Sequence, residues 1–239
     1  MPETNGAPVL SVRDLEAWYG ESYVLHGMEF DVHEGEVVTL LGRNGAGKST
    51  TFKALMGMVP RITGSAKFRG RELVGDAPHR IARSGLAYCP EERGIFASLT
   101  VMENLTLPPV VAGDPVPMER IFALFPNLHE RRTTSQGSKL SGGEQQMLAI
   151  ARILRTGARF LLLDEPNEGL APVIVQQIGK AIAELKKAGL TMLLVEQNYH
   201  FAATVADRHY VVEGGRVVDQ IANEDLKRND AKLRAYLGV

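Results

Sequence analysis

Gly42, Arg43, Asn44, Gly45, Ala46, Gly47, Lys48, Ser49 and Thr50 read GRNGAGKST and fit the pattern G-x-x-x-x-G-K-[ST]. The glycines let the backbone turn so that successive N–H groups point at phosphate oxygens, and a helix starting there adds its partial positive charge. Lys48 would reach the β and γ phosphates, and the Ser49 hydroxyl would ligate Mg²⁺. Farther along, FLLLDEP places Asp164 and Glu165 at the end of an apolar run. Asp164 would hold the metal, and Glu165 could accept a proton from an attacking water. In LSGGEQQ, Ser141 and Glu144 form S-x-x-E, a capping box that starts a helix. The box does not account for Gly142 and Gly143, which cost about 1 kcal/mol each in helix propensity. Close approach of a ligand to the backbone is the expected reason, and the N–H groups of this helix start would form a second phosphate site.

Such groups need elements to hold them. The run GEVVTLLG (residues 35–42) is bounded by glycines and reads as a strand buried on both faces, leading through the phosphate loop into a helix, TFKALMGMV. FLLLDEP and TMLLVEQ read as two more buried strands, separated by a helix-like VIVQQIGKAIAELKKAG whose Lys-rich end and Gly189 are a stop signal. Strand, helix, strand at this spacing predicts a parallel sheet in an α/β fold, with ligands at the carboxyl ends of the strands. Residues 8–19 alternate in part and predict an edge strand or a hairpin turning at Gly20-Glu21-Ser22. Residues 92–158 are interrupted by several prolines; within them Ile121, Leu124, Phe125 and Leu128 share one face of a helix, which predicts an inserted helical lobe. HYVVEGGRVVDQ predicts a hairpin around Gly214-Gly215, followed by a charged amphipathic helix to Tyr236.

Composition narrows the function classes. With 27 basic and 28 acidic side chains in 239 residues the formal net charge is −1, so no global field attracts nucleic acid or an anionic membrane surface. Cys89 is the one cysteine, which suits a reducing compartment and predicts a small core residue. No apolar run approaches the roughly 18 residues of a membrane helix, and the first ten residues lack the features of a signal peptide, so the cytosol is the expected location. No guanine-reading N-K-x-D occurs, which speaks against a GTPase.

The combination of LSGGEQQ, GRNGAGKST and FLLLDEP resembles the nucleotide-binding subunit of ATP-binding cassette (ABC) transporters over almost the whole chain. The resemblance implies a single ABC ATPase domain over residues 7–239. Its core would be a P-loop NTPase fold (about 7–91 and 159–239) with an N-terminal antiparallel β subdomain and an inserted α-helical subdomain (about 92–158). It also implies that two subunits face head to tail, with residues 42–50 of one and Ser141, Gly142, Gly143, Glu144 and Gln145 of the other enclosing one ATP. Tyr19 lies where the family places an aromatic that stacks on adenine, with Trp18 as a substitute. Gly169 to Pro172 resemble the loop crossing the dimer interface, and YCPEERGIF resembles the segment that contacts membrane subunits.

Departures from the family pattern are local. Glu91 stands where most members have a Gln touching Mg²⁺ and the water; a carboxylate there still ligates metal. Gln197 stands where most carry a His contacting the γ-phosphate, His200 lies three residues beyond, and Asn167 replaces a Ser. Together with ALFPNLHERR, EGLAPVI, LLVEQN and RAYLGV, these are similar to the smaller ATPases of Liv-type branched-chain amino-acid importers; urea and short-amide importers share much of the pattern. By that resemblance the chain would work at the inner face of the membrane with two membrane-spanning permease subunits. A second ABC ATPase, a different chain or a second copy of this one, and, indirectly, a solute-binding protein would complete the system. Non-transport ABC ATPases carry two cassettes or a long coiled-coil insertion, for which 239 residues leave no room.

Overall fold

The structure is a computed structural model that describes residues 6–133 and 135–238; the final residue of the expected domain lies outside them. The chain begins with β1 (Leu10–Tyr19), β2 (Ser22–Val32), β3 (Val37–Leu41), α1 (Lys48–Leu55), β4 (Arg61–Phe68), β5 (Arg71–Glu72), α2 (Pro78–Arg83) and β6 (Leu86–Cys89). Helices follow: α3 (Val101–Thr106), α4 (Met118–Leu124), α5 (Pro126–Glu130) and α6 (Gly142–Leu154). The last part comprises β7 (Phe160–Asp164), α7 (Pro172–Lys187), β8 (Thr191–Glu196), α8 (Tyr199–Val205), β9 (Arg208–Glu213), β10 (Arg216–Ala222) and α9 (Asp230–Leu237).

The glycine-bounded apolar runs become β3, β7 and β8, every residue of which is buried. They form the centre of a six-stranded sheet of order β10-β9-β3-β8-β7-β6, parallel except for the β9–β10 hairpin at its edge. Continuous Val and Leu runs suit this position because both faces are covered, one by α1 with strands β1 and β2 and the other by α6 and α7. Cys89 closes β6, buried, and burial pushes its thiol up to about 12, so it packs as a small apolar residue.

A second, antiparallel sheet has the order β2-β1-β4-β5. The hairpin expected at Gly20 is present, with Tyr19 paired to Ser22, but β1 is not an edge strand: β4 pairs along its other side. Alternation reports which face of a strand is buried and says nothing about its two hydrogen-bonding edges.

Between β6 and β7 only helices and turns occur among the described residues, apart from one isolated bridge. The single helix expected across Ile121, Leu124, Phe125 and Leu128 is instead two, α4 and α5, broken at Phe125 (φ −131°, ψ 73°). Pro126 disfavours a helical conformation in the residue before it. Ile121, Phe125 and Leu128 are nonetheless buried, in one core cluster with Leu148 and Leu154 of α6 and Leu161 and Leu163 of β7. The helical segment therefore shares its core with one face of the parallel sheet.

Candidate nucleotide-binding site

The phosphate loop leaves β3 at the centre of the sheet and enters α1 with Gly47 as N-cap at φ 102°. A Cβ at Gly47 would stand 2.9 Å from Leu25 Cδ2 of β2, so both the left-handed backbone and the space require glycine. Lys48 is 4% exposed. Its Nζ donates to the carbonyl oxygens of Gly42 (2.8 Å) and Arg43 (3.1 Å) and lies 3.3 Å from Glu165 Oε1. Ser49 Oγ donates to Asp164 Oδ1 at 2.9 Å, which joins the start of α1 to the end of β7. Asn44, Gly45, Gly47, Lys48, Ser49, Thr50, Glu91, Glu165 and Glu168 line an open cleft of about 300 Å³.

Two participants escaped the sequence reading. Tyr88 Oη donates to Asp164 Oδ2 at 3.0 Å, so Asp164 is held by hydroxyls on both oxygens. Burial pushes Asp164 up, opposed by those two bonds, and burial raises Tyr88 well above the ordinary phenol range. The signal for Tyr88 was available: GLAYC is a fourth short apolar run, followed by Pro90, Glu91 and Glu92, and β6 pairs in parallel with β7. Glu168 is the other. Its hydrogen bond to Glu165, then burial and the charges of Glu165 and Glu91, push it up to about 7. Glu165 itself has φ 44°, an unusual conformation for a residue with a side chain, of the kind that clusters at functional sites.

Other expected site residues lie apart from this cleft. Gln197 lines a neighbouring cleft of about 490 Å³ that shares Glu165 and Glu168 with the first and also includes Asn167, Glu196 and His200. Tyr19 is 39% exposed at the β1–β2 turn. Trp18 is stacked on Tyr23 and lies under the Arg61 guanidinium. None of Ser141, Gly142, Gly143, Glu144 and Gln145 lines either cleft. The capping box of α6 is formed as expected. Glu144 also pairs with Arg131 (2.7 Å), and Gln145 bonds Arg93 and the carbonyls of Gly137 and Leu140. Those two side chains are thus engaged within the chain, and the helix start would meet a ligand through its backbone. Gly143 has a structural reason of its own: a Cβ there would be 2.7 Å from Ile174 Cγ2 on α7.

Ser49, Asp164 and Glu91 offer oxygen donors, which suit a hard cation such as Mg²⁺. No group of three or more His, Cys, Asp or Glu that could hold a metal occurs among the described residues. The arrangement matches the usual Mg²⁺ pattern, in which one or two carboxylates act together with substrate phosphates. No helix among the described residues is long and apolar enough to cross a membrane.

Comparison with known proteins identifies the family. The family model for ABC transporters matches residues 25–168. The high-affinity branched-chain amino acid transport ATP-binding protein BraG of Pseudomonas aeruginosa is 44% identical, over 96% of this chain and 100% of that protein. The lipopolysaccharide export system ATP-binding protein LptB of Escherichia coli is 34% identical, over 96% of this chain and 97% of its own length. Among solved structures, the ADP conformation of an ATP-binding cassette of an ABC transporter superposes with a TM-score of 0.81 at 24% identity, covering 97% of this chain and 98% of that one. An ATP-binding subunit of an ABC transporter gives 0.79 at 29% identity, covering 97% and 100%. The chain that carries this phosphate loop on β3, with Asp164 and Glu165 at the end of β7, therefore belongs to the ABC transporter ATP-binding subunits and hydrolyses ATP.

Proposed function

We propose that this chain is the ATPase of an importer for branched-chain or other hydrophobic amino acids. The observation that carries the solute is the 44% identity to BraG along 96% of the chain, because the nucleotide site never touches the solute. Residues 42–50 cradle the phosphates, with Lys48 on the β and γ phosphates. Ser49, Asp164 and Glu91 hold Mg²⁺, which when bound neutralises phosphate charge. Glu165 takes the proton of the attacking water, and Gln197 contacts the γ-phosphate. The start of α6, Ser141, Gly142, Gly143, Glu144 and Gln145, faces the ATP held by a second ABC ATPase, whose corresponding helix start completes this chain's site in return, and Tyr19 stacks on the base.

The partners in this reading are two membrane-spanning permease subunits and a second ABC ATPase, a different chain or a second copy of this one, at the inner face of the membrane, served by a solute-binding protein outside. Residues 92–158 form the lobe facing the permeases. Exposed Phe96, Leu107 and Val110 within it support that reading, being large apolar side chains left in solvent.

The test is to isolate the Glu165→Gln chain with MgATP from native membranes and identify its companions by mass spectrometry. Two polytopic proteins and a different ATPase, encoded with a protein that binds leucine, isoleucine or valine, support the proposal. A companion set whose binding protein takes urea or an amide, or one belonging to lipid export, replaces the solute and keeps the ATPase role.

A further inference from the structure

The cleft beside the phosphate loop has a wall that the proposed chemistry leaves unused. Glu196, the last residue of β8, is 1% exposed, and its Oε1 has no hydrogen-bond partner. Asn167, two residues after Glu165, has a buried Nδ2 that also has none. The Asn167 amide faces the Glu196 carboxyl, one a donor and the other an acceptor, without completing a bond of normal geometry. Buried polar atoms are nearly always paired, so a complementary pair left open at the edge of an active cleft calls for an explanation.

The backbone gives Glu196 a central place. Its carbonyl accepts the Gly42 N–H at 3.3 Å, where the phosphate loop begins, and the carbonyl of Val195 accepts the Glu165 N–H at 3.0 Å. The residue after it is Gln197. The end of β8 thus touches the phosphate loop, the Glu165 loop and the Gln197 turn, and its side chain is aimed at the loop whose backbone is already strained at Glu165.

We propose that Glu196 is a positioning residue for hydrolysis: through Asn167 it ties the loop carrying Glu165 to the turn carrying Gln197. The bond closes when the Asn167 loop shifts toward β8 as the site closes. The inference rests on the proposed role of Glu165 as proton acceptor. Burial, then the Glu165 carboxylate, pushes Glu196 up to about 8, with Asn198, Asn167 and Lys48 opposing. Burial thus favours the neutral acid over the carboxylate at this position. Glu165 and Glu168 face it from the loop after β7, Lys48 from α1, and His200 and Arg234 share the cleft. Above pH 8 the ionised carboxylate would accept the Asn167 N–H more strongly but would set a second negative charge beside Glu165, which opposes the placing of that carboxylate at the attacking water.

The experiment measures MgATP hydrolysis by the purified full chain across pH 6–9 for the parent, Glu196→Gln, Glu196→Ala, Asn167→Ala and the Glu196→Ala/Asn167→Ala double variant, with Glu165→Gln as control and thermal melts alongside. A misplaced loop loses about 10-fold or more in kcat. Each alanine variant is expected to show that loss with KM within about 2-fold, and the double variant no more than either single one. Glu196→Gln, with the shape and charge of the neutral acid, is expected to keep kcat near the parent's at pH 7 and to lack the parent's decline near pH 8. Losses that multiply in the double variant, or a decline near pH 8 unchanged in Glu196→Gln, overturn the inference while a slow Glu165→Gln leaves the Glu165 reading standing. Normal turnover by Glu165→Gln overturns both.

Discussion

The Lys48 ammonium lies 3.3 Å from the Glu165 carboxylate while donating to the carbonyl oxygens of Gly42 and Arg43. The cation proposed to bind phosphate and the proposed proton acceptor are thus in contact. Entering phosphate oxygens would compete with Glu165 for Lys48 and release the carboxylate toward the attacking water. Lys48→Ala is expected to weaken ATP binding about 10- to 100-fold, the loss of one charge-assisted bond of about 1.5–3 kcal/mol, as read by isothermal titration calorimetry. Glu165→Gln is expected to bind ATP normally, to hydrolyse it about 10²–10⁴-fold more slowly and to accumulate as a dimer on size exclusion with MgATP.

Tyr88 makes a separate prediction because its hydroxyl bonds Asp164 and lines no part of the phosphate cleft. Tyr88→Phe removes one donor from a buried carboxylate whose other oxygen is held by Ser49. The expected result is a higher Mg²⁺ requirement for half-maximal hydrolysis and a loss of about 1–3 kcal/mol in folding stability, measured by urea unfolding. An unchanged Mg²⁺ titration would assign Tyr88 to packing alone.

The two glycines at the start of α6 are expected to respond differently. Gly143→Ala drives a methyl to 2.7 Å from Ile174 Cγ2 and should destabilise the chain by about 1–3 kcal/mol, partly restored by Ile174→Val. At Gly142 a Cβ meets the movable Arg93 guanidinium at 3.3 Å, so Gly142→Ala should fold normally. Gly142→Asp should leave ATP binding by the single subunit intact and abolish turnover, because it sets a negative charge against the phosphates of the facing subunit. Wild-type turnover in Gly142→Asp would remove the two-subunit site.

His209 supplies a pH dependence of stability. It is buried in β9 between Thr39 Oγ1 (2.6 Å from Nδ1) and Asn223 Oδ1 (3.0 Å from Nε2). Because Asn223 Oδ1 only accepts, Nε2 carries the proton and Nδ1 accepts from the Thr39 hydroxyl. Burial depresses the folded-state value below 6.5, so the unfolded chain binds more protons over that interval. Stability is therefore full above pH 6.5 and is lost as pH falls through 6.5 toward the folded value. Melting temperatures between pH 5 and 7.5 are expected to show this fall, and His209→Gln should reduce it.

The chemistry that was readable in the sequence is chemistry set by neighbours along the chain. The phosphate loop needs a strand, a turn and a helix N-terminus in succession, and the Ser141–Glu144 box needs only one helical turn; both formed where expected. The break between α4 and α5 was missed although Pro126 marks it, because the apolar spacing continues through the break and Ile121, Phe125 and Leu128 reach the same core.

Sequence by itself determined the parallel α/β core, the phosphate-loop motif, the Asp164-Glu165 motif and the family to which they belong, because each is read from short motifs and from the succession of elements along the chain. Only the tertiary structure decided that β1 is an inner strand, that Tyr88 holds Asp164, that Glu168 leans on Glu165 and that Asn167 faces Glu196. The physical reason is the pairing order of β8, β7 and β6: hydrogen bonds between distant strands align their carboxyl ends along one edge. Residues far apart in the chain become partners there, and no local pattern encodes that edge.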